Sequence, residues 1–372
     1  MHETEHAPAD RLTLPTYGGG CVTDLMPVLL GKADGRSLPS AFPATGPRVL
    51  LVLDGLGWLQ LVDNPLVAPT LTAMAGGPIT TVAPSTTAAA LTSITTGLTP
   101  AEHGIVGYRI AVDGHILNSL RWGTDDEGDA RRTIPPAVMQ PYTPFLGEAL
   151  PLVTKAEFER SGFSQAHLRG GRMVGYRTPA VMVHEIARLL RAGEPAVYAY
   201  YDGIDKVAHE YGLGSVWTAE LAFADRLVQD VLAAVPKGTT VLVTADHGQV
   251  DCTDGLVPIA PEVVELTDLL SGEGRFRWLH TTADRVDDLL ATAADRHGSA
   301  AWVVSLEQMI DEHWFGPVIY DEARRRLGQV ALLPFDPIAF EDPADTGPYE
   351  LIGRHGSVTA AEMLVPCLVA TA

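Results

Sequence analysis

Val82-Ala-Pro-Ser-Thr-Thr87-Ala-Ala-Ala-Leu-Thr-Ser-Ile-Thr-Thr-Gly97-Leu-Thr-Pro-Ala-Glu-His103-Gly104 is the stretch around which the chain is read. It predicts the end of a strand, a hydroxyl-rich turn, a helix of small residues and a glycine stop. A hydroxyl at a helix N-terminus sits in a positive field, beside backbone N–H groups that have no acceptor inside the helix. That position suits a nucleophile that attacks phosphate and must hold its oxygens. Taken alone, the stretch is better read as a plain Ser/Thr N-cap, the commonest use of such residues before a helix. The segments on either side tip the balance.

Upstream, Arg48-Val-Leu-Leu-Val-Leu53 is a short continuous apolar run, as expected of a strand buried on both faces. It ends in Asp54-Gly55, a carboxylate at the strand's C-terminal edge, where open parallel sheets bind their ligands. Residues 79–82 predict a second short strand feeding the opening stretch. Downstream, residues 108–150 are polar and turn-rich and read as a loop region over the site. Helical apolar spacing follows over 180–191. A strand over 196–201 ends in Asp202-Gly-Ile-Asp205, an amphipathic helix covers 215–235, and a strand over 240–244 ends in Ala245-Asp246-His247-Gly248. Strands alternating with helices predict an α/β fold with a mostly parallel central sheet and helices on both faces. The texture changes over 257–340, where strands at 276–280, 301–304 and 329–333 and helices at 283–296 and 307–313 predict a small inserted α+β cap. The catalytic core is then 48–256 with 341–372, ending in an apolar strand over 364–370, and 1–47 is an irregular lead-in.

Composition narrows the partners. The 372 residues allow two domains or one large α/β domain with an insertion. Lys and Arg total 26 against 46 Asp and Glu, a net charge of −20. Such a surface argues against a nucleic-acid polymer or an anionic membrane as partner. A phosphate site in this chain must therefore neutralise charge locally. Cys21, Cys252 and Cys367 are far apart and odd in number, so neither a disulfide framework nor a thiolate metal site is signalled. The first residues are acidic and polar, without signal-peptide character, and a cytoplasmic protein is expected.

Three of the predicted strands end in acids and histidines: Asp54, then Asp205 with His209, then Asp246 with His247, while His355 arrives on a late loop. Asp205 and His209 are spaced i, i+4, which points both to one helix face. Asp and neutral His without Cys suit Zn²⁺, and Mn²⁺ or Fe²⁺ would also accept them. Three Asp and three His suffice for two ions, with Thr87 filling an open position. Each piece has a plainer reading: a turn at Asp54-Gly55, a surface pair at Asp205 and His209, a helix C-cap at His355-Gly356. Asp246-His247 after a buried strand is hardest to explain that way.

The chain resembles the alkaline phosphatase superfamily, and within it the type I phosphodiesterase/nucleotide pyrophosphatase branch. The resemblance rests on Leu51-Val-Leu-Asp54-Gly, Pro84-Ser-Thr-Thr87 with Thr96-Gly97-Leu-Thr-Pro-Ala-Glu-His103-Gly104, Asp205-x3-His209, Thr244-Ala-Asp246-His247-Gly248 and His355-Gly356. It implies two metal ions, usually zinc. One would be held by Asp205, His209 and His355; the other by Asp54, Asp246, His247 and Thr87. Counting back from Gly97 puts Thr87, not Thr86, at the nucleophile position, leaving Ser85 and Thr86 as turn residues. The expected chemistry is hydrolysis of a small phosphate ester through phosphothreonine, with the backbone N–H of Ala88 holding a non-bridging oxygen. The nucleotide pyrophosphatases usually place an Asn where this chain has Tyr108, whose hydroxyl could serve instead. The sulfatase signature Cys/Ser-x-Pro-x-Arg is absent. Arg109, Arg121 and Arg169 are candidates by charge alone for a phosphate grip. A phosphomonoesterase, a phosphonate hydrolase, a phospho-group transferase or mutase, and a binding protein with a retained metal site remain alternatives. His115, His167, His184, His280, His297 and His313 lack ligand spacing and read as surface or packing residues. Trp278, Trp302 and Trp314 read as cap core, and Arg324-Arg325-Arg326 as a solvated helix face.

Overall fold

The structure is a computed structural model that describes residues 12–43, 45–345 and 350–372. Parts of the expected lead-in (1–11 and 44) and of the C-terminal core segment (346–349) lie outside the described residues.

Seven strands form the central sheet: β1 (Arg48–Leu53), β2 (Ala75–Thr80), β3 (Pro151–Lys155), β4 (Arg172–Tyr176), β5 (Ala196–Tyr201), β6 (Thr240–Thr244) and β7 (Leu364–Thr371). Their spatial order is β2-β7-β6-β1-β5-β3-β4. Every residue of β5 and β6 is buried, as is all of β1 beyond Arg48. A strand covered on both faces has no solvent side, which is why these sequences run apolar without alternation. β1 pairs in parallel with both neighbours, Leu51 facing Ala199 on one side and Val243 on the other. Only β7 runs against the rest, pairing antiparallel with β6 and β2.

Helices flank the sheet: α1 (Leu25–Leu29), α2 (Thr87–Thr96), α3 (Gly162–His167), α4 (Pro179–Arg191), α5 (Gly203–Tyr211) and α6 (Ser215–Ala234). α4 lies on β3, β4 and β5. It buries Met182, Ile186, Leu189 and Leu190, spaced four, three and one residues apart along one stripe. Burying each such side chain stabilises by about 1.5–3 kcal/mol before chain entropy is counted.

Several elements depart from the sequence reading. The second strand is 75–80 rather than 79–82. β3 and β4 were not anticipated; β4 is an edge strand whose first four residues reach solvent, so it carries no apolar run. Residues 108–150 are not merely a loop: Arg109–Val112, His115–Asn118 and Gly123–Thr124 form a small antiparallel sheet. Within the lead-in, Cys21, Val22, Leu25, Met26 and Leu29 are buried in the main core.

The 257–340 segment holds a four-stranded antiparallel sheet in the order Leu269–Glu273, Phe276–His280, Val330–Pro334, Ala301–Ser305, with a helix over Val286–His297. Leu279, Leu289, Ala293, Val330 and Leu332 make a separate apolar cluster. Trp278, Trp302, Trp314 and Phe315 instead join the main core, so the insertion is fused to the body and not merely tethered to it.

Candidate active site

The three strands whose ends carry acids are neighbours, in the order β6-β1-β5. Parallel pairing brings their carboxyl ends to one edge, and Asp246 with His247, Asp54, and Asp202 with Asp205 therefore converge there. Gly55 makes the approach close enough: it turns with a φ of +74°, and a Cβ on it would lie 2.9 Å from the Asp205 Cβ. α2 begins beside them. Its first residue, Thr87, is buried, and its Oγ1 lies 3.0 Å from His247 Nε2.

The late loop is tied to the turn before α2. Ser85 Oγ donates to the Ser357 carbonyl at 2.6 Å, the Ser85 N–H reaches the Gly356 carbonyl at 3.1 Å, and the Gly356 N–H donates to Ser85 Oγ at 3.2 Å. Ser85, expected to be a turn residue, thus also anchors the loop that carries His355.

Each of the three histidines sets its Nδ1 against a backbone carbonyl: His209 on Gly353 at 2.6 Å, His247 on Gly248 at 3.0 Å and His355 on Ser85 at 2.9 Å. A carbonyl only accepts, so Nδ1 carries a proton, and in a neutral ring Nε2 is then the nitrogen that keeps its lone pair. Those Nε2 atoms face carboxylates. His209 and His355 lie 3.2 and 3.9 Å from Asp205 Oδ1, and His247 lies 3.5 Å from both Asp54 Oδ1 and Asp246 Oδ2. Burial pushes the His247 and His355 rings below the usual histidine range, so both are neutral. Orienting a neutral imidazole through its outer nitrogen is the way proteins present it to a metal.

The carboxylates are crowded. Burial raises Asp54 well above the ordinary value, and the charges of Asp246 and Asp205 add to it. Asp205 and Asp246 are raised too, again mainly by burial, with the neighbouring histidines opposing. Asp246 Oδ1 accepts the N–H groups of Gly55 and His247, each at 3.1 Å, while its Oδ2 and the Asp54 Oδ1 are buried with no hydrogen-bond partner among the described residues. Buried orphan oxygens cost about 1–3 kcal/mol each, and more when charged. Lone pairs and orphan oxygens aimed at the same points fit a divalent cation. Two groups of ligand atoms lie close enough together to share an ion, Asp205-His209-His355 and Asp54-Asp205-His247, with the orphaned Asp54 Oδ1 in the second and the orphaned Asp246 Oδ2 adjoining it.

Partners that sequence reasoning missed complete the setting. The Tyr200 hydroxyl donates to Asp54 Oδ2. Gln249 Nε2 donates to Asp205 Oδ1 at 2.6 Å. Lys155 and Lys206 both pair with Asp202, at 2.7 and 2.8 Å. For Tyr200, Gln249 and Lys206 the only signal in the sequence was a place within five residues of the ends of β5 and β6; Lys155 ends β3, a strand that was not anticipated. The Tyr108 hydroxyl accepts from Asn118 Nδ2 at 2.7 Å and its N–H donates to Glu273 at 3.1 Å. Arg109 is buried against Asp125 and Asp342, and Arg169 donates to the Ala166 and Tyr142 carbonyls. Ala88 follows Thr87 in the first turn of α2, where N–H groups have no intrahelical acceptor. His167 and His297 are buried and His280 bonds to Ser271, in line with packing roles.

A model of the family described as "Type I phosphodiesterase / nucleotide pyrophosphatase" matches residues 48–182 and 183–356. The chain belongs to that family. Membership makes it a phosphoric ester hydrolase of the phosphodiesterase/pyrophosphatase kind. Among solved structures, murine ectonucleotide pyrophosphatase/phosphodiesterase 5 is similar, at 14% identity and a TM-score of 0.64, with 87% of each chain covered. An inactive variant of that murine protein has been solved in complex with AMP. Phosphonoacetate hydrolase from Sinorhizobium meliloti 1021, solved with phosphonoformate, is similar at 18% identity and a TM-score of 0.62, over 88% of this chain and 90% of that one. At such identities the likeness supports the alkaline phosphatase-type fold. No curated protein matches by sequence. Among the described residues, no helix is long and apolar enough to cross a membrane.

Proposed function

We propose that this family member hydrolyses phosphodiesters or pyrophosphates through a phosphothreonine at Thr87, beside two divalent cations, most naturally zinc. The observation that carries the reading is that three imidazole Nε2 atoms turn toward the carboxylates of Asp54, Asp205 and Asp246, with Asp54 Oδ1 and Asp246 Oδ2 orphaned and the Thr87 hydroxyl beside His247. Asp205, His209 and His355 would hold one ion; Asp54, Asp246, His247 and Thr87 the other. Bound there, divalent cations would supply Lewis-acid charge that makes a hydroxyl nucleophilic and neutralises the leaving oxygen.

The chain's own residues do the rest. Thr87 Oγ attacks phosphorus in line and the ester oxygen leaves; water then opens the phosphothreonine in a second in-line step. Two inversions give net retention at phosphorus. The Ala88 N–H, in the first turn of α2, holds a non-bridging oxygen. Tyr200 and Gln249 fix the carboxylates of Asp54 and Asp205. Three free, buried cysteines are in keeping with a cytoplasmic setting.

Elemental analysis of the purified protein, combined with turnover of bis-(p-nitrophenyl) phosphate against p-nitrophenyl phosphate, tests the proposal. The expected result is two equivalents of metal and faster diester cleavage. Faster monoester cleavage would point to a phosphomonoesterase, and a phosphorylated acceptor in place of a free product to a transferase. A fully metal-loaded protein inert toward all of these would defeat the reading.

A further inference from the structure

The first hairpin of the insertion, Leu269–Glu273 with Phe276–His280, presses its tip into the core. On one side the tip meets the loop that carries His355. The buried Glu273 side chain fills the space beside the Gly356 α-carbon: a Cβ on Gly356 would lie 2.7 Å from Glu273 Cγ and 3.0 Å from its Oε1. Only a residue without a side chain allows so close an approach. Arg275, two residues on, pairs with Glu362, which accepts the Ser357 N–H at 3.0 Å. On the other side the tip meets the chain that follows α2. Glu273 Oε2 accepts the Tyr108 N–H at 3.1 Å, and a Cβ on Gly107 would stand 3.9 Å from that oxygen. Asp342 joins the same two segments, lying 3.2 Å from Arg277 of the hairpin and 3.7 Å from Arg109.

One buried carboxyl therefore sits between the Gly107–Tyr108 turn and the residue after His355. Its Oε1 has no hydrogen-bond partner among the described residues, so an apolar side chain would be easier to bury there. A carboxyl suits a place that must both fill the gap beside Gly356 and accept the Tyr108 N–H. Gly356 is also held by Ser85, through its N–H and its carbonyl. The loop is thus gripped twice, by the turn before α2 and by the insertion.

We propose that Glu273 is a positioning residue of the active site: set between Tyr108 and Gly356, it keeps His355 turned toward Asp205, so that the insertion governs how tightly the ion of Asp205, His209 and His355 is held. The inference rests on the reading of those three residues as metal ligands. It gives the insertion a part in the site without placing any of its side chains on the metal.

Zinc affinity, measured by chelator competition on the full chain near neutral pH, tests it. Wild type should bind two equivalents. Glu273→Ala and Glu273→Asp each open a gap beside Gly356 and lose the reach to Tyr108. Each should weaken one equivalent about tenfold or more and leave the other unchanged, as loss of a ligand's supporting partner does. Glu273→Gln keeps the length and the acceptor and should hold both ions as wild type does. Circular dichroism reports folding; Glu273→Asp, one methylene shorter, serves where the alanine variant collapses. A role in stability alone would lower the melting temperature and leave both affinities unchanged, or weaken both ions together. Either result would overturn the proposal, as would a glutamine variant as weak as the alanine one. If wild type binds two ions and the truncations match it, only the role of Glu273 fails. If wild type binds none, the reading of the three ligands fails with it.

Discussion

Two buried clusters of charge in this molecule are built on opposite terms. Where the insertion meets the core, Arg275 and Glu362 are both fully buried, and each is saturated. Arg275 makes a two-pronged pair with Glu362 at 2.7 and 2.8 Å and reaches the carbonyls of Pro334, Asp336 and Ile338. Glu362 in turn accepts from the Ser357 N–H and the Thr359 hydroxyl. At the carboxyl ends of β6, β1 and β5, equally buried carboxylates face one another and leave oxygens without partners. The first cluster is complete as the chain stands. The second is short of positive charge, and that deficit is what marks it as a site.

The largest expected effect tests the second cluster. Thr87→Ala should lower turnover by at least about 10⁴-fold, as removal of a covalent nucleophile does. Metal content should be unchanged, because the carboxylates and imidazoles remain. Wild-type turnover by metal-loaded Thr87→Ala protein would move the nucleophile elsewhere.

The next effect tests the first cluster. Arg275→Ala leaves a buried, hydrogen-bonded Glu362 without its counter-charge and should cost about 3–5 kcal/mol in chemical denaturation. Replacing both partners, Arg275→Met with Glu362→Met, should recover part of that loss, since both charges then leave the interior. The same pair anchors the turn from Ser357 to Glu362, just after His355, so the single variant should also retain less metal. A single variant as stable as wild type would mean the pair contributes little.

How much of this was legible beforehand depended on whether a residue's role was local. β1, β5 and β6 stand out because burial on both faces forces continuous apolar runs, and Asp54, Asp246 and His247 are recognisable because they end such runs. Asp205 and His209 show through their helical spacing. Ser85, Tyr200, Gln249 and Arg275 were not legible, because their roles come from pairing with residues 44 to 272 positions away. β3 and β4 were hidden for a different reason. β3 has five residues after a proline-rich stretch, and β4 is a half-exposed edge. Residues 22–29 were hidden by the glycines and prolines around them, though their side chains fill the core.

A third effect concerns a charge that belongs to neither pattern. Glu273 is buried in the insertion, its Oε2 accepting the Tyr108 N–H and its Oε1 without a partner among the described residues. Burial pushes it up from 4.5 to about 8. A raised acid binds more protons folded than unfolded across that window. Its stabilising share is therefore full below pH 4.5 and is lost as pH rises through about 8. Glu273→Gln should remove about 1–3 kcal/mol of that pH dependence. Denaturation at pH 5 and pH 8.5 measures it, and an unchanged slope in the variant would assign the proton elsewhere.

The smallest expected change is the sharpest probe of the comparison, because its sign should reverse with metal. Asp246→Asn keeps the oxygen that accepts from the Gly55 and His247 N–H groups. It replaces the orphaned Oδ2 with an amide NH₂ that can donate toward the His247 Nε2 lone pair, now 3.5 Å away. In protein stripped by a chelator, one repelling charge disappears and one unpaired oxygen gains a partner, so the variant should be more stable than wild type by about 1 kcal/mol. With zinc added, wild type should gain stability by mass action and the variant should gain less, since an amide is a poorer ligand than a carboxylate. The same substitution would then stabilise the bare protein and weaken the loaded one. At the Arg275–Glu362 pair, by contrast, loss of one charge destabilises with or without metal. If metal-free Asp246→Asn proved less stable than metal-free wild type, the carboxylates at the sheet edge would be ordinary structural acids, and the deficit of positive charge there would carry no functional meaning.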